Sequence, residues 1–191
     1  VRVCTNEGRA QLLLDVLQEA HNGRSNRVLV FVKTKKAAEY VRELLVVMQY
    51  EAVYSMHGDL TQEARLEALD AFRRTRKAIL VATDIAARGL DIPGISVVVN
   101  YEMPQTIEQY VHRIGRTGRA GRRGLAYSLV TAGDLMIAEK LAQVLSATSA
   151  AVTPELIEIC EKSKATRRER NKRHKLKMKQ KALAKAVGHI M

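Results

Sequence analysis

Arginine and glycine residues are concentrated in one segment of the sequence, from His112 to Gly124. The segment holds five arginines, and its four glycines stand at positions 115, 118, 121 and 124. A guanidinium group cannot lose its charge in a protein, and its planar fork matches the oxygens of a phosphate. The segment therefore predicts a site for anionic ligands, with phosphoryl transfer as the most specific interpretation.

Two other structures also use this composition. Glycine at every third position is typical of collagen, but four repeats without proline cannot form a triple helix. Arg-Gly repeats also occur in disordered RNA-binding segments. Here, however, Tyr110 and Val111 precede the cluster and a strand-like run follows from Leu125, so we expect the cluster to lie inside a folded domain.

Two further segments place hydroxyl and charged groups directly after apolar runs. Lys33 and Thr34 follow the run 27–32, and a strand end that leads into a helix start suits a phosphate. This signal is weak, because lysine and threonine are common at helix starts. The segment 82–91 follows a second apolar run and contains a hydroxyl, a glycine, one base and two acids.

Three residues of the segment 82–91 have the chemistry to contact a nucleotide or nucleic acid. Thr83 can donate to a phosphate, Gly89 permits close approach of the backbone, and Asp91 can accept hydrogen bonds from ribose hydroxyls. The alternative is a polar turn in which Asp84 caps a helix, and for Asp84 we favour that alternative.

The pattern of apolar residues predicts an α/β scaffold for these segments. Short β-branched or aliphatic runs alternate with segments of helical period, which is typical of βα units that build a mostly parallel sheet. In such a sheet ligands bind at the carboxyl ends of the strands. We expect strands over 27–32, 52–55, 78–82, 95–99 and 125–130. We expect helices over 9–20, 37–48, 61–72, 135–145 and, in short form, after residue 104, with Met48, Leu66, Leu69 and Phe72 among the buried side chains.

The positive charge of the chain belongs to its C-terminal end. The 191 residues carry a formal net charge of +12. Twelve Lys or Arg and a single acid, Glu169, lie between Lys162 and Lys185, which leaves 20 bases and 19 acids elsewhere. We therefore expect a domain over 1–150 and a basic extension over 151–191, helical or disordered, for which contact with nucleic acid is favoured over a merely solvated helix.

Composition excludes several other classes of protein. No apolar run is long enough to span a membrane, and no secretory signal segment begins the chain, so we expect an intracellular protein without a membrane partner. Cys4 and Cys160 stand far apart without clustered histidines, so we expect no metal site and no disulfide framework. The chain begins at Val1, which is consistent with a piece of a longer protein.

Four motifs together resemble the C-terminal RecA-like domain of DEAD-box RNA helicases. The segment 28–34 resembles motif IV, and Gln62 with Arg65 matches its QxxR extension. The segment 82–91 resembles motif V, and 112–119, HRIGRTGR, resembles motif VI. The resemblance implies a RecA-like three-layer fold with a mostly parallel central sheet, and an ATP-dependent RNA helicase activity in the whole enzyme.

The resemblance also implies roles for individual residues. Arg116 and Arg119 would be arginine fingers that meet the γ-phosphate of ATP, His112 would couple the nucleotide site to the partner domain, and Asp91 would bind the ribose. The residues that would hold the RNA backbone are Thr34, Gly58, Gln62, Arg65, Thr83 and Gly89. For Arg113 and Arg122 we favour structural or peripheral roles.

The sequence has no GxxxxGK[ST] segment and no DEAD segment, so the groups that would cradle the phosphates of ATP and its Mg²⁺ are absent from this chain. The resemblance therefore implies an N-terminal RecA-like domain of the same protein as a partner, with RNA as the second. It predicts that the chain alone has no ATPase activity. A weaker resemblance to nucleolar helicases of ribosome assembly suggests a nuclear or nucleolar location and pre-ribosomal particles as partners.

Two other functions are compatible with parts of the sequence. A stand-alone RNA-binding module would use the backbone-contact residues and the basic extension but would leave Arg116 and Arg119 without a role. A DNA translocase of the same superfamily is disfavoured by the QxxR pair and by the HRIGR form of the arginine motif. The basic extension could also be a docking arm for a protein or a nuclear address.

Overall fold

The computed structural model describes residues 1–22, 26–87, 92, 94–119, 121–148 and 150–187, with side chains to Met178. The chain forms two compact units, Val1–Ile137 and a second that begins at Ala138. The expected boundary at residue 150 falls within the second unit.

The first unit is built on a six-stranded sheet in which every pair of neighbouring strands is parallel. The order across the sheet is β1-β6-β5-β2-β4-β3. The strands are β1 (Arg2–Val3), β2 (Arg27–Val32), β3 (Val53–Met56), β4 (Ile79–Thr83), β5 (Ile95–Asn100) and β6 (Leu125–Val130). The predicted α/β class is confirmed, and only the two-residue β1 was not anticipated.

Helices connect these strands and continue into the second unit. They are α1 (Arg9–His21), α2 (Lys35–Val47), α3 (Gln62–Arg74), α4 (Asp84–Ala87), α5 (Ile107–Ile114), α6 (Leu135–Ala147) and α7 (Pro154–Val187). Threonine caps three of them, because Thr34, Thr61 and Thr106 each accept a hydrogen bond from the backbone amide three residues on. The caps fix where α2, α3 and α5 begin.

Both faces of the sheet are covered, which gives the first unit its three layers. Successive residues of β2 point to opposite faces. Val28 and Val30 belong to a core cluster that includes residues of α1 and α2. Leu29 and Phe31 belong to a second cluster, which includes residues of α3 and α4. Because β2 is buried on both faces, its sequence is an uninterrupted apolar run.

Two side chains predicted to be buried are exposed. Leu66 is 54% exposed, although Leu69 and Phe72 are buried as expected. Two side chains that are three residues apart on a helix point in directions that differ by about 60°. Leu66 and Phe72, which are six residues apart, therefore point about 120° apart. Met48 is 49% exposed because it is the C-cap of α2 rather than part of its buried face.

The second unit contains most of α6 and the long helix α7. Pro154 opens α7, where its missing amide hydrogen costs no hydrogen bond. Leu156, Ile159, Cys160 and Ser163 are buried, whereas all side chains from 164 to 178 are exposed. The basic extension is thus helical to Val187. Among the described residues no helix is both long and apolar enough to cross a membrane.

Candidate functional site

The parallel register brings two of the predicted segments, and the loop that carries Gly58, to one edge of the sheet. Val32, the last residue of β2, pairs with Thr83, the last residue of β4. Met56, the last residue of β3, pairs with Ala82. The segments that follow β2, β3 and β4 therefore start side by side at the carboxyl edge, where ligands bind in open α/β sheets.

Thr34 lies at the start of α2, directly after β2. Its hydroxyl oxygen accepts a hydrogen bond from the backbone amide of Ala37 at 3.1 Å, and the residue is exposed. The hydroxyl hydrogen can be donated at the same time, since a hydroxyl is both donor and acceptor. A phosphate oxygen at the N-terminus of α2 would suit this arrangement.

The loop that carries Gly58 is held by an acid on α2. One carboxylate oxygen of Glu39 accepts hydrogen bonds from Ser55 Oγ at 2.6 Å and from His57 Nε2 at 2.9 Å, and the other accepts from Arg42 Nε at 2.9 Å. Burial would raise the pKa of Glu39, but the hydrogen bonds from Ser55, Arg42 and His57 together lower it to about 2. Glu39 is therefore ionised at neutral pH and ties the loop to α2.

Gly58 itself is exposed, and a Cβ atom added there would meet nothing within 4 Å. His57, directly before it, is buried, whereas Asp59, directly after it, forms an ion pair with Lys35. The backbone at Gly58 is thus open to a ligand while its neighbours are anchored.

Gln62 and Arg65 lie in the first two turns of α3. The guanidinium of Arg65 donates to Gln62 Oε1 at 3.5 Å and to the carbonyl oxygen of Ala86 at 3.4 Å. Both distances are long for hydrogen bonds, so these contacts orient Arg65 weakly. They place its charge beside α4, which follows β4.

The structure places Thr83 at the end of β4, where it is 8% exposed. Contact between RNA and Thr83 would need close approach of the ligand to this edge. Gly89 and Asp91, for which backbone and ribose contacts are predicted, lie outside the described residues.

Arg113 is a buried structural residue. Its guanidinium binds both carboxylate oxygens of Asp84, at 2.6 and 2.7 Å, and donates to Asn100 Oδ1 at 3.2 Å and to the carbonyl oxygen of Glu102 at 2.7 Å. It also lies over the ring of Phe31, with 4.9 Å between Cζ and the ring centroid. Asp84, favoured above as a helix cap, is the first residue of α4 and the carboxylate partner of Arg113.

Threonine and glycine residues hold the turns after α5 in place against β5. Thr117 Oγ1 donates to the carbonyl oxygens of Ile95 at 2.8 Å and Ser96 at 3.0 Å. Gly118 has a φ of 69°, a conformation that favours glycine. A Cβ atom on Gly124 would lie 2.4 Å from the amide nitrogen of Gly118, so only glycine fits there without a shift of the backbone.

The three proposed nucleotide residues of the arginine motif lie in and after the last turn of α5. His112 is exposed, Arg116 is half-buried, and Arg119 is exposed and donates from Nε to the carbonyl oxygen of Gly115 at 2.7 Å. His112 and Arg116 line a cavity of about 50 Å³ together with Asp84, Arg113 and others. This volume is far below the roughly 300 Å³ at which small-molecule pockets begin, so the described residues that line this cavity do not by themselves enclose a nucleotide.

Sequence reasoning missed two sets of contacts that hold the site together: those of Glu39, and the bond of Asp84 to Arg113. Glu39 stands in a helix among other charged residues, and its partners Ser55 and His57 lie in and directly after β3. Asp84 is 29 residues from Arg113. The sequence indicated these contacts only indirectly, through the expectation that the carboxyl ends of the parallel strands lie side by side. Among the described residues, no group of three or more His, Cys, Asp or Glu is arranged to hold a metal ion.

The chain matches a known protein family over much of its length. Residues 8–121 match the family described as the helicase conserved C-terminal domain. DEAD-box ATP-dependent RNA helicase 5 of rice, Oryza sativa, is 43% identical over 156 residues, which is 82% of this chain and 30% of that protein.

Solved structures with the same fold include two from this family. The RNA helicase Prp28 from Chaetomium thermophilum, bound to ADP, has a TM-score of 0.70 and 38% identity, and covers 81% of this chain and 37% of that one. Dbp5 from S. cerevisiae, bound to RNA and ADP BeF3, has a TM-score of 0.58 and 35% identity, and covers 68% of this chain and 35% of that one.

The chain spans about 30% of the length of the curated relatives that it matches. The residues that match the family, 8–121, contain all four motifs and the strands β2 to β5. The chain belongs to the DEAD-box RNA helicase family and contains the conserved C-terminal helicase domain.

Proposed function

We propose that this chain is the C-terminal motor half of an ATP-dependent RNA helicase, which grips the RNA backbone and supplies arginine fingers to ATP held by an N-terminal RecA-like domain. The observation that carries the proposal is the arginine segment after α5, which is pinned by Thr117 and Gly124 and yet lies beside a cavity too small for a nucleotide. Half of a nucleotide site is what a two-domain enzyme requires.

The RNA part of the proposal rests on the carboxyl edge of the sheet. Thr34 offers a hydroxyl at a helix N-terminus, Gly58 offers open backbone, and Arg65 with Gln62 offers charge and an amide on α3. Hydroxyls, backbone amides and arginine are groups that contact sugar and phosphate rather than base edges, so we expect binding that is largely independent of sequence. Thr83 and Gly89 complete the proposed set, and the RNA-bound relative Dbp5 supports RNA as the ligand.

The nucleotide part rests on Arg116 and Arg119. A guanidinium next to the γ-phosphate stabilises the charge that spreads over the phosphoryl oxygens during transfer. We assign that role to both arginines, the coupling role to His112 and ribose binding to Asp91. The nucleotide-bound relatives Prp28 and Dbp5 support the presence of such a site in the family.

ATP would bring Mg²⁺, which neutralises phosphate charge in this class of reaction. We assign the magnesium and the phosphate cradle to the N-terminal domain, because a P-loop and a DEAD segment are absent from the sequence of this chain. What this chain contributes is orientation of its two arginines and closure of the site against water.

The remaining assignments are coarser. We propose a helicase domain over 1–150 and a basic extension over 151–191, in a protein that works inside the cell. A nuclear or nucleolar location and pre-ribosomal particles as partners follow only from the weaker resemblance to the nucleolar members.

The test is the rate of ATP hydrolysis in a protein that joins this chain to its N-terminal RecA-like domain. Arg116→Ala and Arg119→Ala should each lower RNA-stimulated turnover by roughly 10³-fold or more, as loss of an arginine finger does. Arg123→Ala is the matched control, because Arg123 is exposed in the same segment and has no assigned role. Melting temperatures should be alike for all three. If the two finger variants turn over ATP as fast as the control does, the nucleotide part of the proposal is wrong.

A further inference from the structure

The middle of α7 is a strongly basic helix with cations on opposite sides. Between Lys164 and Met178 the sequence has eight Lys or Arg and one acid, Glu169. Every side chain in this range is exposed. At 1.5 Å per residue the range is about 22 Å long, so its cations are dense along the axis.

The cations point to opposite sides of the helix, because successive residues are rotated by about 100°. Three cations on one side, which we call the first triplet, point in directions within about 40° of one another around the helix axis: Lys164, Arg168 and Lys175. Another, the second triplet, lies within about 60° on the opposite side: Arg170, Arg173 and Lys177. Each triplet has one member paired with an acid of α7, Lys164 with Glu161 and Arg173 with Glu169.

This distribution restricts the polyanion that α7 can match. A flat anionic surface reaches only one side of a helix, and an extended single strand reaches both sides only by wrapping around it. A groove between two phosphate backbones presents phosphates to both sides at once. The deep groove of an uninterrupted A-form duplex is narrow, whereas a helix with its side chains is about 10–12 Å wide. A bulge or internal loop is therefore needed to open the groove.

We propose that residues 164–178 of α7 bind folded RNA, with phosphates of a bulged or looped duplex contacting opposite sides of the helix. The choice of RNA as the polyanion rests on the proposed function, since the first unit would bring RNA to the chain. This RNA binding by α7 is separate from the RNA contacts proposed at the carboxyl edge of the sheet and from ATP hydrolysis. The segment has no aromatic side chain on which a base could stack, so contact with phosphates rather than bases is expected.

The first experiment compares two matched variants of the full chain, in which the first or the second triplet is replaced by Gln. Glutamine keeps helix propensity and removes charge. Labelled RNAs of equal nucleotide number, namely a single strand, an uninterrupted duplex and a bulged duplex, are titrated at several salt concentrations. Replacement of either triplet should lower the affinity for the bulged duplex by about tenfold or more at low salt. It should also flatten the dependence of log affinity on log salt by about 2 to 3 units. The losses should be equal for the two triplets and smaller on the single strand.

The second experiment tests whether the helix itself is needed. Asn171→Pro keeps every charge but breaks the middle of α7, whereas Asn171→Ala keeps the helix. Circular dichroism measures the helix content of both variants. The proline variant should lose the preference for bulged over single-stranded RNA, and the alanine variant should retain it.

Each opposite outcome overturns the proposal. Loss of affinity from one triplet alone would mean contact on a single side, and no loss from either would leave α7 without an RNA role, as expected for a docking arm that binds an acidic protein. Equal losses on all three RNAs would remove the preference for folded RNA. Arg65→Ala, titrated on the single strand in parallel, reports on the grip at the sheet edge, so failure of the proposed function is distinguished from failure at α7.

Discussion

Arg113 and Asp84 form a two-pronged ion pair, with 2.6 Å between Nε and Oδ1 and 2.7 Å between Nη2 and Oδ2. The Arg113 side chain is 2% exposed. Arg113 stands three residues before Arg116, and Asp84 directly follows Thr83. The pair therefore fixes the last turn of α5, in and after which the candidate nucleotide residues lie, against the end of β4, which carries the candidate RNA contact Thr83.

Removal of the carboxylate should destabilise the chain strongly. Asp84→Ala leaves the charge of Arg113 buried without its main partner, and we expect the free energy of unfolding to fall by about 3 kcal/mol or more. Urea unfolding at neutral pH measures it. Arg122→Ala, which alters an exposed arginine of the same segment, should change it by less than about 0.5 kcal/mol.

A double-mutant cycle separates the pair from its surroundings. In Asp84→Ala combined with Arg113→Met the unpaired buried charge is gone, so the double variant should be more stable than the sum of the two single losses implies. Strict additivity would mean that Arg113 and Asp84 do not act as a pair.

Glu39 should make the stability of the first unit sensitive to acid. Hydrogen bonds from Ser55, Arg42 and His57 outweigh burial and lower its pKa from the ordinary 4.5 to about 2. A folded-state pKa below the unfolded value means that the stabilisation is complete above about pH 4.5 and is lost as the pH falls towards 2. Urea unfolding at a series of pH values should therefore show a stability difference between the chain and Glu39→Gln that shrinks across this window.

Glu43→Gln is the control for Glu39, because it removes one carboxylate from the same helix at a side chain that is 68% exposed. The stability difference between this variant and the unaltered chain should be small at every pH. If Glu39→Gln gives the same difference at pH 6 as at pH 3, the carboxylate does not hold the loop of Gly58 as described.

Arg65 should contribute one phosphate contact to RNA binding. Arg65→Ala is expected to weaken binding of unrelated single strands alike and to lower the salt slope by about 0.7. Fluorescence titration at several salt concentrations measures both quantities. Arg74→Ala, at the exposed far end of α3, should leave the slope unchanged. A defect confined to one RNA sequence would contradict a backbone contact.

The strands and the motif segments could be predicted because they depend on local pattern. The run of β2 is apolar throughout, since both faces of the strand are buried. The Gly-rich cluster could be placed inside the fold because apolar residues flank it, and Thr117 with Gly124 shows how it is held. Its placement could be predicted without knowing which residues its side chains contact.

Contacts between distant segments could not be predicted in the same way. The bond between Arg113 and Asp84 depends on how α5 crosses the sheet, and the bonds to Glu39 depend on the spacing of α2 and β3. Leu66 was misplaced because apolar spacing of three residues drifts around a helix instead of following one face. The partners of Arg113 and Glu39 and the burial of Leu66 depend on which elements lie next to one another in three dimensions. The sequence indicates that arrangement only indirectly.

The central claim is that this chain is one half of a nucleotide-dependent motor, and phosphate release from ATP tests it most directly. Release is measured with and without RNA for this chain alone and for the protein that joins it to its N-terminal RecA-like domain. We expect no turnover above background from the chain alone, and RNA-stimulated turnover from the joined protein. Robust RNA-stimulated turnover by the purified 191-residue chain would contradict the claim.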